Sequence, residues 1–313
     1  MSNNFYEMPA DLQKELQSHG RLFKNFPLKD VTTFKTGGTA DYLFEPLDED
    51  SLIKAFAVLK EANCPYHIIG GGSNLLVSDK GLSGIVIRLY SDSESVCFDE
   101  GFIYASANVS KERFIQETID HGYGGVEFMA GIPGAIGGGI FMNAGTFMGS
   151  FSDILKSIKL LTQEGDIIER EITSSLCSYR DMNIPKGAVI LGGYFSLPKI
   201  SSHEIETLKK EIEKIIQERW KKHPMEYPSA GSVFKNPEGF SSWKLIDDCG
   251  LKGFSIGGAK VSEKHTNFII NTGNATSEDI YRLIKKIQQC VMEKHSIALE
   301  TEVKFMGDFS SDV

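Results

Sequence analysis

No stretch of this 313-residue chain is apolar for long enough to cross a bilayer as a helix. Cysteine is equally sparse. Cys64, Cys97, Cys177, Cys249 and Cys290 are odd in number, widely scattered and never arranged as C-x-x-C, so neither a disulfide framework nor a structural zinc site is expected. No cluster of His, Cys and carboxylates has metal-ligand spacing. Positive charge is also short, with 33 Lys and Arg against 42 Asp and Glu and a net charge of -9. That balance argues against general affinity for nucleic acid while leaving room for a local basic pocket around an anionic ligand. The N-terminal MSNNFYEMPADLQKELQSHG lacks the basic start and apolar stretch of a secretory signal and reads as a polar lead into a short helix. The expectation is a soluble cytoplasmic protein with no membrane, nucleic-acid or metal partner; nothing in the sequence indicates its oligomeric state.

Familiar catalytic and phosphate motifs are missing too. There is no G-x-x-x-x-G-K-[ST], and GGGSNL lacks the third glycine of the dinucleotide fingerprint G-x-G-x-x-G. The serine in GSV is not on a G-x-S-x-G elbow, and no histidine partner can be assigned to it.

What is present suggests an α+β chain of two or three compact units, since its length exceeds that of one small core. The apolar runs at 65–70, 84–89 and 187–197 are short, β-branched and glycine-bounded, the signature of buried strands. IKLLTQEGDIIEREI, from Ile158, reads as a hairpin. From Ser201 the composition changes: Ile205, Leu208, Ile212, Ile215 and Trp220 recur at helical spacing, which predicts a helix opening a second unit near residue 200. TSED at Thr276 offers a capping-box start to a helix with Ile280, Leu283, Ile287 and Val291 on one face. LETEVKFMG alternates like a strand, placing Glu300 and Glu302 on the same side.

Three segments are rich in glycine: FKTGGTA (34–40), IIGGGSNLLV (68–77) and AGIPGAIGGGIFMNAG (130–145). Glycine permits positive φ and close approach of the main chain to a ligand, so such loops either make tight turns or cradle a pyrophosphate. Arg180 either clamps a carboxylate or pairs with Asp181 on the surface. Arg219, Lys221 and Lys222 either meet phosphates or simply finish a helix with favourable charge. His265, just before an apolar run, reads first as a structural residue.

Taken in order, TTFKTGGTA, GGGSNLLVSDKG, GVEFMAGIPGAIGG with MNAG, YRD, PSAGSVFKNP, GLKGFSIGGAKVSEKHTNFIIN and LETEVKFMG resemble one family. It is the UDP-N-acetylenolpyruvoylglucosamine reductases of bacterial peptidoglycan synthesis, and the resemblance runs from about Phe34 to Gly307. It implies an FAD-binding region of the vanillyl-alcohol-oxidase type at 1–200, built of two α+β subdomains, and a C-terminal α+β substrate-binding domain at 201–313. It also implies that Gly70, Gly71, Gly72, Ser73, Asn74, Ile132, Pro133, Gly134, Gly137, Gly138 and Asn143 hold FAD. NADPH would reduce the flavin, and the enolpyruvyl ether of UDP-N-acetylglucosamine would then accept hydride and a proton to become UDP-N-acetylmuramate. By position, Ser232 matches the proton donor, and Arg180 and Glu302 match the other two catalytic positions, with Glu300 and Ser229 as neighbours not to be confused with them. Tyr179, Lys235, Asn236 and His265 fall where the family contacts substrate.

The chain departs from the family at Met182, where serine is usual, and in NAGTFMGSF. The short interval between Arg180 and Ser232 has no room for the tyrosine-bearing loop of one family branch, so another element must cover the substrate. A flavin oxidase of the same cofactor fold would share the glycine loops but lack PSAGSVFKNP and LETEVKFMG. A nucleotide-binding protein without chemistry would not need serine, arginine and glutamate at all three matched positions.

Overall fold

Ile85, Val86 and Ile87 are consecutive, β-branched and buried, the pattern of a strand covered on both faces. In the computed structural model, which describes residues 6–89, 95–99 and 101–309, that strand (Leu82–Arg88) lies between Thr39–Pro46 and Tyr66–Ile69 and runs parallel to both. The antiparallel strand Gly20–Pro27 completes this sheet. Side-chain alternation divides its two faces. Tyr42, Phe44, Ile85 and Ile87 meet Leu16, Phe56 and Leu59 from the helices Ala10–His19 and Glu49–Glu61, whereas Leu43 and Val86 meet Leu28, Val31 and Val77 on the opposite side. The short helix expected near the N-terminus is therefore present, although the first five residues of its polar lead lie outside the described residues.

A second sheet is antiparallel throughout, in the order Ile167–Glu171, Leu155–Leu161, Val189–Phe195, Phe102–Ser106, Val96–Asp99. The expected hairpin is its edge, registered from Ser157 opposite Glu171 to Leu161 opposite Ile167. The core of this unit includes Phe114, Phe128, Ile136, Phe151, Ile158 and Phe195. The helix Ser202–Lys222, started by a capping box between Ser201 and Glu204, also packs here through Leu208, with Ile205, Ile212 and Ile215 alongside. The sequence suggested that this helix opens the second unit at residue 200. Its apolar face instead belongs to the preceding core, and Trp220, expected on that face, is exposed.

The last core gathers Ala230, Val233 and Phe234 with the helix Ser277–His295 and the small sheet Ser255–Ile256, Ala259–Val261, Ile269–Asn271. Thr276 and Asp279 form the capping box seen in the sequence. Two residues from far upstream, Phe34 and Leu76, are part of this core. The expected strand in LETEVKFMG is confined to Lys304–Met306, which pairs in parallel with Leu75–Val77.

Leu283, Ile284 and Ile287 are fully buried on the Ser277–His295 helix. Leu283→Ala is expected to destabilise the C-terminal unit by about 2–5 kcal/mol through lost burial and a residual cavity. Thr276→Ala, which removes only the cap, should cost about 0.5–2 kcal/mol. Urea unfolding of the two variants checks this ordering.

Candidate active site

Two of the three glycine-rich segments, 68–77 and 130–145, come together in space as walls of one cavity of about 1480 Å³, whereas no residue of 34–40 lines it. That exceeds the roughly 300–1,000 Å³ typical of a single drug-sized ligand, so a dinucleotide and a second molecule both have room. Gly70, Gly71, Gly72, Ser73 and Asn74 line it immediately after the strand Tyr66–Ile69, and Ile132, Pro133, Gly137 and Gly138 line it from the second loop. Gly70 and Gly138 have no atom within 4 Å of where a Cβ would stand, so the main chain borders open space there. Gly72 has φ +62, and a Cβ on it would strike Val31 O. This pair of loops fits the diphosphate and ribityl stretch of a flavin dinucleotide, which needs close backbone approach and N–H donors.

Gly134 and Asn143 do not border the cavity. Gly134, with φ +102, is a packing position against Ser73 Oγ. The Asn143 carboxamide is occupied internally, donating from Nδ2 to Ser178 O at 3.1 Å and accepting at Oδ1 from Ser152 N at 3.0 Å. Through the first of these bonds it braces the Ser178–Asp181 turn that presents Arg180. Met182, the departure from the family pattern, is buried in the middle core beside Cys177.

Arg180, Ser232 and Glu302 all reach the cavity. Arg180 has the left-handed φ of +60, a conformation costly for a residue other than glycine and present here beside the cavity. Its Nε lies 3.1 Å from Glu302 Oε1, yet the N–H is not aligned on that oxygen and Nε remains buried without an acceptor among the described residues. It does not pair with Asp181, whose carboxylate takes Asn183 N. Burial pushes the Glu302 carboxyl above the usual range, outweighing the opposite influence of Arg180, Lys235 and Lys304.

Glu302 is positioned by backbone bonds rather than by strand geometry. Its N–H and that of Val303 both reach Val233 O, at 2.8 and 3.4 Å, and its carbonyl accepts from Asn74 Nδ2 at 3.0 Å. These bonds pull Thr301–Val303 out of extended form, so Glu300 and Glu302 do not share a face. The Glu300 side chain is 71% exposed and bonded to Lys235 Nζ at 2.6 Å, whereas that of Glu302 is 19% exposed. Ser232 sits in the adjoining segment, bridged to Phe268, and its neighbour Gly231 takes φ +76. Ser229 lines the same cavity.

The substrate-contact expectations divide. Asn236 borders the cavity and spends its Oδ1 on Ser242 N, leaving its amide donors for a ligand. Lys235 is held outside the lining by Glu300. Tyr179 faces a smaller neighbouring cleft of about 830 Å³ that also includes Arg180 and Asn236. His265 lines neither cavity: it packs against His223, Trp243 and Phe268, and burial pushes its pKa down. Its structural reading therefore holds, and its substrate assignment does not fit these packing partners.

Lys210 and Lys214 line the cavity and escaped the sequence reading. They stand on the same helix as Arg219 and Lys222, which also line it, while Lys221 and Lys222 both pair with Glu218. The four-residue spacing of Lys210 and Lys214 was the available signal. Arg219 Nε, like Arg180 Nε, is buried without an acceptor, so the cavity presents guanidinium donors for an anionic ligand. Phe147, 98% exposed at the tip of the Gly145–Thr146/Gly149–Ser150 hairpin, stands at the rim with Met148.

A relative from Caldanaerobacter subterraneus subsp. tengcongensis, named UDP-N-acetylenolpyruvoylglucosamine reductase, is 42% identical over 96% of this chain and 99% of its own. The chain belongs to the UDP-N-acetylenolpyruvoylglucosamine reductase family. A reductase of that name from Geobacter metallireducens is 37% identical over 96% of this chain and 99% of its own. The family model for the C-terminal domain of these reductases matches residues 223–306, and an FAD-binding domain model matches 40–170. The crystal structure of the Thermus caldophilus reductase superposes with a TM-score of 0.75 at 31% identity, covering 92% of this chain and 99% of that one. The expected α+β architecture, an FAD-binding domain of the vanillyl-alcohol-oxidase type followed by the reductase C-terminal domain, is borne out.

Two glycine substitutions separate cofactor space from backbone strain. Gly70→Ala is expected to leave the melting temperature of the apoprotein unchanged and to lower FAD affinity by filling open space. Gly72→Ala should lower both, by strain of order 1–3 kcal/mol. Thermal melts of the apoprotein and FAD titration distinguish them.

Proposed function

We propose that this chain is an NADPH-dependent flavoenzyme that reduces the enolpyruvyl ether of UDP-N-acetylglucosamine to UDP-N-acetylmuramate, with Ser232, Arg180 and Glu302 as its catalytic residues. The observation that carries the residue assignment is their convergence on one cavity with the two glycine loops. Bound FAD, once reduced by NADPH, supplies the hydride for the enolpyruvyl methylene carbon. Ser232 Oγ–H, on the cavity wall, supplies the proton to the adjacent carbon. Arg180 offers a buried donor to the substrate carboxylate, where negative charge grows as the methylene carbon is reduced. Glu302, whose carboxyl burial shifts toward the protonated form, would donate a hydrogen bond to the same developing enolate.

The cations along the Ser202–Lys222 helix suit the diphosphate of a sugar nucleotide or of NADPH, and Asn236 offers amide donors beside them. Lys235 is assigned to substrate as well. Its present partner, Glu300, is a solvated surface carboxylate, and such pairs exchange at little cost. In this reading residues up to about 222 carry the flavin and those after it close over the substrate, with Tyr179 at the edge of the neighbouring cleft. The proposed place of work is the cytoplasm, because both reactants are highly charged nucleotides that do not partition into bilayers.

The test is an anaerobic visible spectrum. The flavin band should bleach with NADPH and return on adding the enolpyruvyl sugar nucleotide; return only on admitting oxygen would favour an oxidase, and a colourless protein unable to take up FAD would end the proposal. Ser232→Ala should leave reduction by NADPH near normal and slow reoxidation by substrate about 10²–10⁴-fold. Wild-type rates in both half-reactions would refute the proton-donor assignment.

Glu302 also sets a pH dependence. Its pKa is raised, so the proton is retained to higher pH than on a free carboxyl, and the substrate half-reaction is expected to fall as pH rises through that pKa. Glu302→Gln, which cannot ionise, should be slower at low pH and lack this fall. Stopped-flow reoxidation across pH checks both statements.

A further inference from the structure

Lys111 is the first residue of the helix Lys111–Asp120, directly after its N-cap Ser110, and is only 5% exposed. Three features oppose a cation at this position. Burial pushes its pKa down to about 8, with no neighbouring carboxylate to offset the cost. The first turn of a helix is its positive end, which favours acids rather than bases. An ammonium carries three donors, yet among the described residues Nζ makes one hydrogen bond, to Pro133 O at 2.9 Å.

A lysine maintained against these costs needs an anion that is absent from the protein itself. Its surroundings indicate where that anion lies. Lys111 lines the large cavity between the two glycine loops. Ser73 Oγ, from the first loop, donates to the same Pro133 O at 3.4 Å. A Cβ on Gly134 would fall 3.7 Å from Lys111 Nζ and collide with Ser73 Oγ, and a Cβ on Gly139 would lie 3.0 Å from Lys111 Cε. The absence of side chains at these glycines keeps a passage for the ammonium toward the space bordered by Gly70–Asn74.

We propose that Lys111 is a positioning residue that anchors the diphosphate of FAD, the part of the oxidised cofactor with formal negative charge. The inference rests on the flavoenzyme reading above. It has two separable consequences: the cation is unfavourable in the apoprotein and favourable once the diphosphate is present.

Lys111→Met removes the charge while nearly preserving shape. The apoprotein should melt at the same temperature as wild type or higher, because an unpaired buried cation is gone. Its FAD affinity, measured by quenching of flavin fluorescence, should weaken on the order of 10- to 100-fold, as for loss of one charge-assisted hydrogen bond. With both proteins saturated in FAD, the flavin midpoint potential should be unchanged. Unaltered FAD affinity overturns the proposal, even if NADPH or substrate binding weakens. A shifted potential also overturns it, since the charge would then face the flavin ring. A lower apoprotein melting temperature, or failure to fold, would mean that Lys111 stabilises the protein itself. Should the wild-type apoprotein bind no FAD, the flavoenzyme reading fails as well, so the two failures are distinguishable.

Discussion

A ladder of only three residue pairs joins the two ends of this chain. Leu75–Val77 pairs in parallel with Lys304–Met306, and Asn74 flanks the ladder by accepting from Lys304 N and donating from its side chain to Glu302 O. So short a parallel pairing has little stability of its own. It persists because Leu76 and Phe34 are buried in the C-terminal core, while Ser78 continues the connection through Met306 O and Asp308 O. The loop that borders the cavity and the turn that carries Glu302 thereby become one mechanical unit. A shift in this ladder would move the Gly70–Asn74 loop and the Glu302 turn together.

The cavity is organised by the different amounts of water that reach its charged groups. Glu302 is raised toward neutrality by burial although cations stand near it, and Arg180 beside it keeps a donor without an aligned acceptor. Arg219, elsewhere in the lining, shows the same lack of an acceptor. Lys235 and Glu300, by contrast, form a close ion pair in which the carboxylate is solvated, and this pair can exchange partners at small cost. Desolvated, incompletely partnered groups therefore face the ligand space alongside solvated ones such as the Lys222–Glu218 pair. This is the arrangement in which fixed charges act most strongly on a reacting molecule.

Much of the local structure was legible before any coordinates. The capping box at Thr276, the buried run at 84–89 and the hairpin after Ile158 each depend on interactions within a few residues, and each formed as read. The helix after Ser201 was also legible, but not its allegiance. Periodicity identifies which side of a helix is apolar and says nothing about which core receives it, and Leu208 joins the earlier one. The motif order identified the family, and with it the expectation that Ser232, Arg180 and Glu302 are catalytic; the fold brings these three to one cavity.

Other assignments depended on bonds between residues far apart in the chain. Glu300 and Glu302 alternate like strand neighbours in sequence, but Val233 O and Asn74 Nδ2 bend the segment and turn one carboxylate inward. Asn143 sits among cofactor-like glycines and spends its amide on Ser178 and Ser152; His265 precedes an apolar run and is enclosed by aromatic rings. By itself the sequence determined the elements, their caps and the flavin-reductase chemistry, because these follow from short-range preference and motif. Tertiary structure alone decided which polar groups are desolvated toward the cavity and which are spent holding it together, because burial and long-range hydrogen bonds exist only once the chain has closed on itself.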